Sequence, residues 1–183
     1  MDRATESDPV VLLDACAAIN LFATRRMDAI LGAIAAPVGI VALVHAESLY
    51  VLRGGAGDDA DVREPVDLQP LVGGGVLRVV EPTEAELDDF VDLAAEMDDG
   101  EAMTAAVAIA RGWSIVTDDR KATRILAGRV WLQSTLAVVK DWADRDAIDD
   151  ATVARVLTDL RERGTYLPGR AHPLRGWWDT YTG

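Results

Sequence analysis

Short runs of aliphatic and β-branched residues alternate along the chain with longer Ala- and Leu-rich stretches of helical period. The runs at 10–14 (VVLLD), 38–43 (VGIVAL), 76–82 (VLRVVEP), 113–117 (WSIVT) and 129–132 (RVWL) predict buried strands. Between them the pattern predicts helices over 16–24, 27–36 and 44–53, the last with Ala46, Leu49 and Tyr50 near one face. A short helix at 67–75 ends in glycines. Thr83 followed by Glu86 forms a capping box that starts a helix with Leu87, Phe90, Val91 and Ala94 inward. Further helices are predicted over 101–111, 119–128, about 133–145 and 149–163. Gly, Asp and Pro mark a loop at 54–65, and Gly and Pro make the tail from 164 read as irregular.

Strands alternating with helices predict a parallel sheet covered on both faces. Function in such sheets gathers at the carboxyl ends of the strands. Asp14 and the pair Asp118–Asp119 lie at or just beyond such ends. Glu47 falls in the helix after the second strand, and Glu101 opens the 101–111 helix.

The 183 residues suit one domain with its own core, and no internal repeat or low-complexity linker divides them. The single cysteine, Cys16, excludes an internal disulfide and a multi-cysteine zinc site. MDRATESDPV lacks a basic segment followed by an apolar one, so no signal peptide is expected, and no apolar run is long enough to span a bilayer. A cytoplasmic protein is the expectation. The net charge of −13 is unevenly placed. Residues 57–101 hold 15 acidic and 2 basic residues, and the other 16 acids are balanced by 16 bases. Bulk acidity disfavours non-specific nucleic-acid binding, yet Arg120, Lys121, Arg124 and Arg129 form a local basic cluster beside Asp118–Asp119.

Asp14, Glu47, Glu101 and Asp119 are placed to approach one edge of the sheet. Four convergent carboxylates repel, and protonate unless cations lie between them. Mg²⁺ or Mn²⁺, hard ions that prefer oxygen, would relieve that repulsion and support an in-line displacement at phosphorus. Each acid also has a plain structural reading: Asp14 and Asp119 as helix N-caps, Glu101 as a charge at a helix N-terminus, Glu47 as a surface acid. Asp98 and Asp99 are expected to cap the 101–111 helix after a turn at Gly100. Cys16 is expected to be a small buried residue, His45 structural, and His172 with Trp177–Trp178 to pack the tail onto the domain.

The chain resembles the PIN-domain ribonucleases. VVLLDACAAIN is similar to that family's first strand with its terminal Asp, VALVHAESL to its second acidic segment, and DDGEAMTAAVAIARGWSIVTDDRKA to its last two. Glu101 precedes Asp119 by eighteen residues and Ala108 by seven, the family's spacing around its T-x-D motif. The resemblance covers about residues 9–145, with 146–183 expected as an added C-terminal helix and tail on the same domain. It implies a Rossmann-like α/β/α sandwich and a Mg²⁺- or Mn²⁺-dependent endoribonuclease, of the kind found as VapC-type toxins with a small antitoxin partner. Asp14, Glu47, Glu101 and Asp119 match the acidic quartet, as catalytic residues and metal ligands. Thr117 matches the threonine of T-x-D, with Asp99 and Asp118 as auxiliary acids. Arg120, Lys121 and Arg124 are candidate contacts to RNA phosphates. Cys16 stands where the family often has Ser or Thr, which removes a hydroxyl contact. A homodimer is compatible with this reading. So is a non-cleaving PIN-like module that binds protein or RNA, although four costly acids argue against a dead site. A threading DNA nuclease would need a long helical insertion that is absent, and a receiver domain would place its acidic pair after the first strand.

Overall fold

The computed structural model describes residues 9–47, 49–54 and 61–183; the N-terminal segment and half of the loop read at 54–65 lie outside the described residues. The core is a five-stranded, all-parallel sheet of β1 (Val11–Leu13), β2 (Val38–Val41), β5 (Leu77–Val80), β6 (Ser114–Val116) and β7 (Trp131–Gln133), in the order β5-β2-β1-β6-β7. All five expected strands form. Each is shorter than its apolar run: β1, β5 and β6 lose residues at both ends, β2 at its end only, and β7 starts two residues late and runs on to Gln133. The central strands are buried on both faces: Leu12, Leu13, Ile40, Ile115 and Val116 are all at most 2% exposed.

Helices α1 (Ala15–Ala23), α2 (Met27–Gly32) and α3 (Ala42–His45) flank the first two strands. A second, two-stranded antiparallel sheet joins β3 (Tyr50–Leu52) to β4 (Arg63–Pro65). The helix expected over 44–53 is therefore not there: α3 stops at His45 and the chain turns into β3. The helical pattern loses to a distant partner. Val51 is 1% exposed, the Leu52 N–H donates to the Arg163 carbonyl at 2.9 Å, and the buried Arg163 guanidinium bonds the Arg53 carbonyl and Glu64. The same pairing turns the end of the expected loop, Arg63–Pro65, into a strand.

α4 (Gln69–Gly73) ends at glycines as expected. α5 (Glu84–Ala94) begins with the expected capping box at Thr83 and Glu86. Its buried stripe is rotated from the expected one: Leu87 and Val91 are 43% and 65% exposed, whereas Leu93 is buried and Phe90 packs against the core. Glu86 is buried instead, because Arg111 reaches it at 2.6 Å. α6 (Asp99–Arg111) starts two residues earlier than expected and carries an almost continuous buried face from Ala102 to Ala108, so it lies between α5 and the sheet. α7 (Arg120–Leu126), α8 (Thr135–Arg145) and α9 (Asp150–Glu162) complete the alternation.

The tail is not irregular throughout. Arg175–Thr182 form α10, which packs on α9 with Trp178 1% exposed and Tyr166 edge-on to it at 5.6 Å. Trp177 and Tyr181 share a face one turn apart and stack edge-on as well. Among the described residues no helix is long and apolar enough to cross a membrane.

Candidate active site

Parallel register assembles the centre of the site. Leu13 pairs with Val116, so the next residues, Asp14 and Thr117, emerge side by side from the carboxyl ends of β1 and β6. Asp14 ends its strand and caps α1: its Oδ1 accepts the Ala17 N–H at 2.7 Å. Asp119 caps α7 in the same way, accepting the Ala122 N–H at 2.6 Å. The structural reading of these two acids holds, and the cap fixes each carboxylate at the sheet edge.

Burial dominates the electrostatics. Asp14 is 2% exposed, and its pKa is pushed up to about 6, chiefly by lost solvation and also by Asp118. Hydrogen bonds from Cys16, Thr117 and the Ala17 amide oppose that rise. Glu101 is half-buried in the first turn of α6. Its pKa is pushed up to about 7, first by desolvation and then by the charges of Asp119, Asp14 and Asp98. Its carboxylate accepts the Asp98 N–H, which offsets part of the rise. Asp14, Glu101 and Asp119 thus share one electrostatic neighbourhood.

Glu47 stands apart from that group. It is exposed, and the charge that raises its pKa, after desolvation, is Asp98. It lies against the start of α6, where a Cβ on Gly100 would run into its Oε1. Gly100 is helical, so its contribution is space for Glu47 and not the turn expected of it. Of the two acids expected to cap α6, Asp98 occupies the N-cap position without a side-chain cap bond, and its charge acts on both Glu47 and Glu101. Asp99 is exposed in the first turn. Sequence spacing passed over Asp98. Its position three residues before Glu101, where a glutamate reaches back to the N-cap amide, was the available signal.

Asp118 has a fixed structural role. Its carboxylate accepts from Asn20 Nδ2 at 2.9 Å and from the Thr135 N–H at 3.0 Å, joining α1 to α8. Thr117 accepts the Asp119 N–H at 3.1 Å and bonds Asp14, so one hydroxyl sets the spacing of the two flanking acids. The contact expected to be lost at Cys16 is made by its thiol, which donates to Asp14 Oδ1 and Oδ2 at 3.0 and 3.1 Å. The Asp118 N–H donates to the same sulfur at 3.3 Å. His45 meets Gln69 at 3.1 Å, and His172 Nε2 meets Ser134 Oγ at 3.1 Å, which fastens the tail to the start of α8.

Beside the acids a cleft of about 880 Å³ opens between α7, α8 and the tail, with Thr117 and Asp118 at one wall and Arg120 and Arg124 at another. Lys121 is exposed outside it. Arg170, which the sequence reading did not single out, lines it from the tail. Among the described residues no three His, Cys, Asp or Glu side chains stand close enough together to hold one ion. The acids of this neighbourhood offer oxygen atoms alone, the donors that a hard divalent cation takes. Comparison of the chain with protein-family models, with curated proteins and with solved structures finds no match in any of the three.

Proposed function

We propose that this protein is a metal-dependent endoribonuclease of the PIN-domain type. The observation that carries the reading is the placement of Asp14 and Asp119 as N-caps at the carboxyl ends of β1 and β6, with Glu101 near enough to be raised by the charges of both. Acids held desolvated at a sheet edge lower stability, and such groups gather where charge is needed for chemistry. Asp14, Glu101 and Asp119 would draw together around Mg²⁺ or Mn²⁺, since they do not stand close enough to share an ion without it, with Glu47 and Asp98 at the rim. When bound, the ion would supply charge neutralisation and a more acidic water for attack on a phosphodiester.

The chain's own residues prepare the site. Thr117 and Cys16 hold Asp14 in one orientation, and the Ala122 amide holds Asp119. Glu101, in the first turn of α6, brings its carboxylate against the charges of Asp119 and Asp14. Arg120 and Arg124 offer guanidinium groups to the backbone of an RNA strand. A cytoplasmic toxin of a toxin–antitoxin pair, neutralised by a small protein partner, is the biological role that goes with this activity.

The test is direct. Purified protein is incubated with single-stranded RNA in Mg²⁺, Mn²⁺ or EDTA. Metal-dependent, EDTA-blocked internal cleavage is expected. RNA binding without cleavage under any metal would leave a binding module in its place.

A further inference from the structure

We propose that the C-terminal segment from Tyr166 to Leu174 closes a channel over α7, and that this channel holds a single-stranded RNA beside the carboxylates. The proposal rests on the ribonuclease reading and names how its substrate is gripped.

The segment lies beyond residues 9–145, the part of the chain that resembles nuclease domains. It forms one wall of the cleft already described, and Arg120, Arg124 and Arg170 project into that cleft from both sides. None of the three has a hydrogen-bond or ion-pair partner among the described residues, in a chain with 31 acidic side chains. Three guanidinium groups left unpaired in one cleft of an acidic protein suit an anionic ligand. Arg120 lies directly against the tail: a Cβ on Gly169 would meet its Nη2 at 2.8 Å. Between the arginines the wall is apolar, with Leu132, Pro168 and Leu174, a surface that accepts the face of a base.

Tyr166 provides the second, independent observation. It is 8% exposed, yet its hydroxyl has no hydrogen-bond partner among the described residues. Its neighbours include Asp118 and Cys16, and it lines both the first cleft and a second one of about 640 Å³. The two clefts share Asp118, Tyr166 and Leu167, so they meet at this residue. A buried hydroxyl without a partner is costly, and a phosphate oxygen at that junction would accept its proton. The channel so formed carries the arginines and Tyr166 and reaches Thr117 and Asp118, the residues that follow β6 and precede Asp119. Charge complementarity favours RNA over a protein segment as the occupant, even though Leu167 is 62% exposed at the junction.

The experiment measures binding of a short fluorescent single-stranded oligoribonucleotide by anisotropy in EDTA, with cleavage measured separately in Mn²⁺. The proteins are wild type, Arg170→Ala and Tyr166→Phe, each checked by thermal unfolding. Arg170→Ala should weaken binding on the order of tenfold, the size of one charge-assisted bond, and reduce the slope of log K against log salt by about 0.7. Tyr166→Phe should weaken binding while its melting temperature stays level or rises, because it removes an unpaired hydroxyl. A structural role for Tyr166 would lower the melting temperature instead, and would overturn its part in the channel. If wild type cuts RNA and both variants match it in affinity and KM, the channel is wrong and the ribonuclease reading stands. If wild type neither binds nor cuts, the ribonuclease reading fails and the channel with it. An acidic peptide that binds where RNA does not would make the cleft a protein interface and overturn the proposal.

Discussion

The Cys16 thiol donates to both carboxylate oxygens of Asp14, at 3.0 and 3.1 Å, and accepts the Asp118 N–H on the same sulfur. One side chain thus links the acid at the end of β1 to the loop after β6. Burial and the neighbouring Asp14 push the thiol pKa far above its usual range, so Cys16 stays protonated and is no nucleophile. A thiol reagent at pH 8 should leave the native protein almost unmodified and react fully once it is unfolded. Rapid native-state labelling would contradict this bond. Cys16→Ser should keep the contact, whereas Cys16→Ala should raise the Asp14 pKa further.

Asp14 makes the fold pH-dependent. Its folded pKa, about 6, lies above the unfolded value of 3.8. The folded state therefore binds its proton more tightly, and the associated stability is present below about 4 and lost as pH rises through about 6. Glu101 acts in the same direction, with its loss completed as pH rises through about 7. Without metal, the melting temperature should fall between pH 5 and pH 8 beyond any general trend. Asp14→Asn keeps a cap acceptor for Ala17 and removes the charge. It should flatten this dependence and stabilise the protein at pH 8 by on the order of 3 kcal/mol. A destabilised, still pH-sensitive variant would show that Asp14 is not the source.

Added Mg²⁺ or Mn²⁺ should raise the melting temperature of wild type by relieving the same repulsion. The shift should shrink in Asp14→Asn. Equal shifts in both proteins would remove Asp14 from the ion's surroundings.

The tail is integral to the core and not an appendage. Trp178, 1% exposed, fills the space between α10 and α9, and Tyr166 packs edge-on against it. Trp178→Ala should cost about 3–5 kcal/mol in chemical unfolding. A loss under about 1 kcal/mol, the scale of a surface change, would mean that α10 is only loosely attached.

What the sequence reveals divides along one physical line. The parallel strands were legible because VVLLD, VGIVAL and WSIVT carry their burial in their own composition. Asp14 and Asp119 were legible because a strand end followed by a helix start fixes an N-cap. The elements that were misread depend on distant partners. Tyr50–Leu52 becomes a strand through Arg63–Pro65 and Arg163, Glu86 is buried through Arg111, and the helix at Arg175–Thr182 is held by α9. Periodicity cannot see such partners. It likewise could not choose between Asp98 and Asp99, which differ only in which side of the helix start they occupy, nor place Arg170 beside Arg120.

The choice among the acids at the start of α6 gives the most direct test. Glu101 shares its charge environment with Asp14 and Asp119, whereas Asp99 is exposed one position into the helix. Metal-dependent RNA cleavage should be measured for wild type, Glu101→Gln and Asp99→Asn under identical conditions. The account predicts that Glu101→Gln is folded, with a melting temperature at or above that of wild type, and does not cut. Asp99→Asn should keep most of the wild-type rate. An active Glu101→Gln, or an Asp99→Asn that is folded and dead, would contradict the assignment of this site.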